Sequence, residues 1–204
     1  MKTIRIISLT IITVLFVTSC DWYPSHTVIG KGDVESMEVQ VPEFNGVSVT
    51  GTCNVDIQIG ATQHVELSAQ PEVLDVMTYE VRNEILQIGF KNGYTVKNSK
   101  DISASIVIPE LTYVAVTGAG DYELKGSVQG FLDINITGTG NVNAFDLEVE
   151  DCSIQISGAG NCEVNVNNSL DVFVSGVGNI FYKGNPTISS DISGVGNVSD
   201  VNGK

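Results

Sequence analysis

Two features of the sequence have residue types and spacing that could do chemistry. The first is a glycine pair followed by a polar residue, as in Gly158, Gly160 and Asn161 of "ISGAGNCEV". Such loops cradle phosphate in nucleotide-binding proteins, and Gly/Asp repeats hold calcium in β-rolls. The second is Cys20, directly after a short apolar run, and its chemistry would be lipidation. Both must be weighed against the elements that would position them.

The phosphate reading needs a helix N-terminus or a lysine at the loop. Neither follows these glycines, because alternating strand-like residues do. Calcium prefers several carboxylates per site. The polar slot here holds Asp121 but then Asn141, Asn161, Asn179 and Asn197. No metal and no cofactor is expected. Catalysis would need converging acids, bases or histidines. Of the two histidines, His26 lies near the N-terminus and His64 begins a strand. The run from 111 to 204 has only Lys125, Lys183 and Lys204 as bases, and Glu148, Glu150 and Asp151 read as a solvated face. No catalytic residue is expected, and the chain is read as a non-enzyme.

The motif is repeated. Five segments align without gaps: "VTGAGDY", "ITGTGNV", "ISGAGNC", "VSGVGNI" and "ISGVGNV". Their glycine pairs are Gly118/Gly120, Gly138/Gly140, Gly158/Gly160, Gly176/Gly178 and Gly194/Gly196. First glycines are spaced by 20, 20, 18 and 18 residues. A degenerate copy, "VTGTCNV" (49–55), has Cys53 in place of the second glycine. Two residues before each first glycine stand Val116, Ile136, Ile156, Val174 and Ile192. Polar residues lie between such apolar columns. Period two inside a strand, and 18–20 between strands, is what stacked parallel coils require. The expected fold is all-β: a right-handed parallel β-helix of about 18–20 residues per coil, with a more irregular β-rich N-terminal part. The glycines are expected to turn sharp corners through positive φ. The Asp/Asn slots are expected to stack as a ladder, beside a hydroxyl row from Thr117 to Ser193.

The chain as a whole fits an exported domain. It has 204 residues, 10 Lys+Arg and 24 Asp+Glu, giving a net charge of −14. That balance argues against nucleic acid as a partner. Lys2, Arg5, an apolar run and "VTSC" have the layout of a lipoprotein signal peptide. Residues 1–19 are read as that signal, and 20–36 as a tether lipid-anchored through Cys20. Residues 37–204 form the domain, with regular coils over 111–201. The expected address is the bacterial envelope, anchored in the outer membrane on its periplasmic or exposed face. Within the domain, "PEVLDVM" (71–77) reads as a short helical turn, "TYEVRNEILQIGF" as a hairpin turning at 82–84, and "KNGYTVKNSKD" as a polar loop. Cys152 and Cys162 fall in apolar columns and read as small core residues, although a disulfide between them stays open. Phe145 and Phe173 point outward by alternation, while the pair Phe181–Tyr182 is read as capping the last coils.

The repeated [V/I][T/S]GxG[N/D] motif, with "IVIPELTYVAVTGAGD" before it and "FYKGNPTISSDISGVGNV" at its end, resembles the head GIN domain of auto-transporter adhesins. The resemblance spans about 37–201. It implies a β-helical fold and no established catalytic residues. A lipid anchor is expected rather than a C-terminal barrel, so autotransport is not expected. The function expected is interaction or adhesion with an unknown protein or glycan, the alternative being a polysaccharide-binding or -processing accessory protein. A groove with carboxylates and an aromatic would favour the glycan. A smooth Ser/Thr/Asn face would favour structural or protein contact.

Overall fold

A computed structural model describes residues 26–97 and 99–203, with the backbone alone at 127–129. The signal peptide (1–19) and Cys20 lie outside the described residues. The fold is all-β with almost no helix, in one strongly curled sheet plus a two-stranded ribbon.

Short strands come first: β1 (His26–Ile29), β2 (Glu35–Glu38), β3 (Gly46–Val49), β4 (Asn54–Ile59) and β5 (His64–Ala69). One helical turn follows, α1 (Pro71–Leu74), opening on proline, whose fixed φ suits that position. Then come β6 (Met77–Arg82), β7 (Ile85–Phe90), β8 (Tyr94–Lys97), β9 (Ser103–Ile108) and β10 (Tyr113–Val116). The repeats supply the rest: β11 (Ala119–Ile136), β12 (Thr139–Ile156), β13 (Cys162–Val174), β14 (Ile180–Gly184), β15 (Thr187–Ile192) and β16 (Val198–Asp200).

The repeat strands pair in parallel and in register with the motif. Ile134 faces Ile154, and Ile154 faces Val172. Two arcs result. The first runs β4, β11, β12, β13, β14, β16, and the second runs β3, β10, β11, β12, β13, β15. The degenerate copy stacks beneath the first full one: Thr52 bridges Ala119, and Val55 faces Tyr122. Antiparallel pairs are confined to the N-terminal part, where β2 and β9 flank β5 and β6 pairs β7.

The apolar columns make the core. Val116, Ile136, Ile156 and Val174 are fully buried, as are Leu132 and Leu170. Fully burying one such side chain contributes about 1.5–3 kcal/mol. The columns open at the last repeat, where Ile188 is 39% and Ile192 36% exposed because no further strand covers them among the described residues.

Two readings of the N-terminal part need correction. Residues 26–36 were expected within the tether, yet β1 pairs with β8 and β2 with β5. The segment lacks a two-residue period because β1 and β2 are only four residues long and mostly exposed. "KNGYTVKNSKD" was expected as loop, and β8 forms inside it as the partner of β1. Neither strand can be read alone, since each exists by pairing with a segment some 68 residues away (His26↔Tyr94). The hairpin at 82–84 forms as expected, with Asn83 (φ 51°) and Glu84 (φ 62°) turning between paired Arg82 and Ile85.

Candidate functional site

The glycine pairs sit where each coil passes over the one below. A Cβ on Gly138 would collide with the carbonyl oxygen of Gly118, one on Gly158 with that of Gly138, and one on Gly176 with that of Gly158. Gly140, Gly160, Gly178 and Gly196 meet the second glycine of the preceding coil in the same way. Positive φ was the expected reason for these residues. It holds at Gly51 (99°) and Gly120 (152°) but not along the rest of the column. The glycines are there because two backbones pass too closely for any side chain.

The following residue builds a hydrogen-bonded row. The Asp121 N–H donates to Asn54 Oδ1 at 3.0 Å, and Asn141 Nδ2 to Asp121 Oδ1 at 2.9 Å. Asn161 donates to Asn141 Oδ1 from its backbone N–H at 3.0 Å and its amide at 3.3 Å. Asn179 does the same to Asn161, at 3.1 and 3.2 Å. Asn197 continues the position without a side-chain bond among the described residues. These amides are bonded to one another and to backbone, which leaves the motif no convergent set of free ligating oxygens. No group of three or more His, Cys, Asp or Glu side chains is poised to hold a metal among the described residues.

Cys53, Cys152 and Cys162 are buried free thiols. Burial pushes the Cys53 and Cys152 thiols up to about 12 from 9.0, and holds Cys162 well above 9.0 as well. Such thiols are poor nucleophiles and metal ligands. The histidines do not meet: His26 stacks on Tyr94 with centroids 5.3 Å apart, and His64 Nδ1 lies 3.4 Å from Glu38 on the surface. Glu148 and Asp151 accept hydrogen bonds from Asn167 and Asn168, each at 2.7 Å. That is a solvated, internally bonded face rather than an acid–base pair.

Among the aromatics, Phe145 is covered by Lys183, whose Nζ stands 4.1 Å from the ring centroid, next to Phe181. Tyr182 packs against the core. Phe173 is 40% exposed on the outer face of the second arc. Phe131, not singled out from sequence, is 50% exposed on that same face. Its signal was present, since its neighbour Leu132 occupies an inward column. Around Phe173 lies a groove of about 410 Å³, lined by Ser153, Gln155, Asp171, Ser189 and Asp191. A cleft of about 450 Å³ elsewhere gathers Glu43, Glu84 and Glu110. Of its two amides, Asn45 and Gln63, the second is already spent on the Phe44 N–H and the Val41 and Pro42 carbonyls.

With this geometry, a parallel-stacked all-β domain with solvent-facing arcs, the comparisons with known proteins agree. The model for the family "Putative auto-transporter adhesin, head GIN domain" matches twice, over residues 43–130 and 97–186. The chain belongs to this family. A crystal structure of a putative adhesin from Bacteroides fragilis is similar, with a TM-score of 0.61 and 21% identity. The match covers 85% of this chain and 100% of that one. A putative adhesin from Parabacteroides merdae gives a TM-score of 0.47 at 16% identity, covering 87% of this chain and 100% of its own. Among curated protein sequences, none matches. The Bacteroides structure speaks for the fold alone. An adhesin-type family fits the cell envelope or surface, and no helix among the described residues is long and apolar enough to cross a membrane.

Proposed function

We propose that the chain is a lipid-anchored, non-catalytic binding protein of the bacterial envelope, with a right-handed parallel β-helix as its scaffold. The observation that carries this reading is the uninterrupted parallel pairing from β3 to β15, which holds outward side chains on a rigid face. Parallel crossovers are overwhelmingly right-handed, which supplies the handedness. Signal residues 1–19 are removed and Cys20 takes the lipid, so the partners are the membrane and a ligand, not nucleic acid. Since β1 begins at His26, the link from Cys20 is short. Six residues span about 20 Å at most. The N-terminal strands then face the membrane and the repeat coils stand away from it.

Protease shaving of intact cells tests the surface role. Digestion of the domain on intact cells is expected. Survival until lysis would defeat adhesion and leave a periplasmic role. The second reading, polysaccharide binding, is favoured by one observation: the groove at Phe173 carries Asp171 and Asp191 beside the ring.

A further inference from the structure

We propose that the outer face of β12, β13 and β15 binds a neutral polysaccharide chain, with Phe173 as the plate on which a sugar ring rests. The inference rests on the reading of this chain as a binding protein, and it names the ligand.

Register arranges the groove as a grid. One row is Ser153, Asp171, Ser189, and the next is Gln155, Phe173, Asp191. Neighbours within a row are about 4.8 Å apart across strands, and the rows about 6.6 Å apart along them. The exposed ring is thus flanked by an amide and a carboxylate. Beside it a second carboxylate stands between two hydroxyls. Asp171, Asp191 and Gln155 make no side-chain hydrogen bond or ion pair among the described residues. By contrast, Asp133 nearby is bonded to Asn135 and to the groove's own Ser153, and Asp151 to Asn168 and Ser169. The groove therefore holds polar groups that the fold does not use.

Three properties select the ligand. An apolar plate wants a flat C–H surface. Carboxylate acceptors mixed with amide and hydroxyl donors want groups that both donate and accept, which is what sugar hydroxyls do. Charge removes the acidic sugars: among the described residues no Lys or Arg lies on this face, Lys125 and Lys183 being on the first arc. A uronate or sulfate would meet two uncompensated carboxylates. A lysine-rich peptide would satisfy the charges, but its flexible side chains offer the Phe173 ring no flat C–H surface.

A chain rather than a single sugar is implied by Phe131. It shares a row with Asp151, Ser169 and Thr187 on the same face. That places it two strands over and four residues along from Phe173, about 16 Å away. Two plates at that separation suit a polymer lying across the strands.

The test uses the full chain in detergent micelles. Affinity is measured against a neutral β-glucan, mannan, galactan and xylan, against polygalacturonate, and against poly-lysine. Binding to at least one neutral polymer and none to polygalacturonate is expected. F173A should lose at least tenfold in affinity with an unchanged melting temperature, and D171N/D191N should weaken binding in the same way. F131A should weaken binding of the polymer but not of its short oligomers, while F181A on the first arc changes nothing. Failure of every neutral polymer to bind, or wild-type affinity in both F173A and D171N/D191N, overturns the proposal. Binding to poly-lysine alone would also overturn it, while sparing an interaction role. Sugar binding by a domain that shaving places in the periplasm would sink adhesion and leave this inference standing.

Discussion

A methyl group on Gly158 would lie against the Gly138 carbonyl oxygen and the Thr137 carbonyl beside it, with no flexible side chain to yield. Gly158→Ala should therefore cost about 1–3 kcal/mol or more, as overpacking does. Gly130→Ala is the control, since nothing stands within 4 Å of its Cβ position. Urea unfolding of the two variants checks this. Equal midpoints would mean that the coils slide apart at little cost. The buried thiols give a second prediction at this scale. Burial raises Cys53 and Cys152 to about 12, and Cys162 and Tyr122 rise for the same reason. A raised acid pKa means that the folded state holds its proton longer than the unfolded one. Stability is then fully present below the ordinary thiol value of 9.0 and falls as pH climbs toward 12. A urea midpoint that is flat from about pH 7 to 8.5, then declines, is expected. C152A, which loses the thiol and leaves only a small void, should decline less steeply.

At the level of the element, the Asn row is exposed, so its bonds carry modest energy. Asn161 accepts two from Asn179 and gives two to Asn141. Asn161→Ala leaves the backbone donation intact and removes the rest, for an expected loss of about 0.5–2 kcal/mol. Asn197→Ala, at a position without side-chain bonds, should be near neutral in a thermal melt. A larger loss at Asn197 than at Asn161 would contradict the row. The repeat elements were legible because identical residues recur in each coil, so every column is written five times in the sequence. The strands β1 and β8 were not, because neither has a face of its own to mark. The glycine positions were legible but their reason was not. Positive φ is local, whereas contact with the coil below depends on a residue 18 or 20 positions away. Phe173 was legible from alternation. The groove around it was not, since Ser189 and Asp191 join it only through the parallel pairing of β13 with β15.

At the scale of the whole molecule, the repeat strands are each held by parallel neighbours along the sheet. Both faces of the middle coils are covered, whereas the last coil has one neighbour and half-open apolar columns. Amide hydrogen exchange should be fastest in β15 and β16 and slowest in β12 and the second arc of β13, a gradient along the stack axis. Uniform protection would mean that the domain opens only as a unit. The change of spacing from 20 to 18 has its own place in this frame. Between β12 and β13 the offset is 20 at Asn143↔Glu163, 17 at Glu148↔Asn165, and 18 at Asp151↔Ser169. The glycine corner and the Phe173 grid keep their alignment through the change, because the slack is taken up between them, mainly in the stretch from Ala144 to Glu148 and by one residue more between Val149 and Asp151. The stretch from Ala144 to Glu148 is a seam where the spacing between repeats changes while the working faces keep their pattern. A peptide of two or three residues spliced between Phe145 and Asp146 should be tolerated, and a graft there would be displayed at the side of the scaffold rather than in its grain.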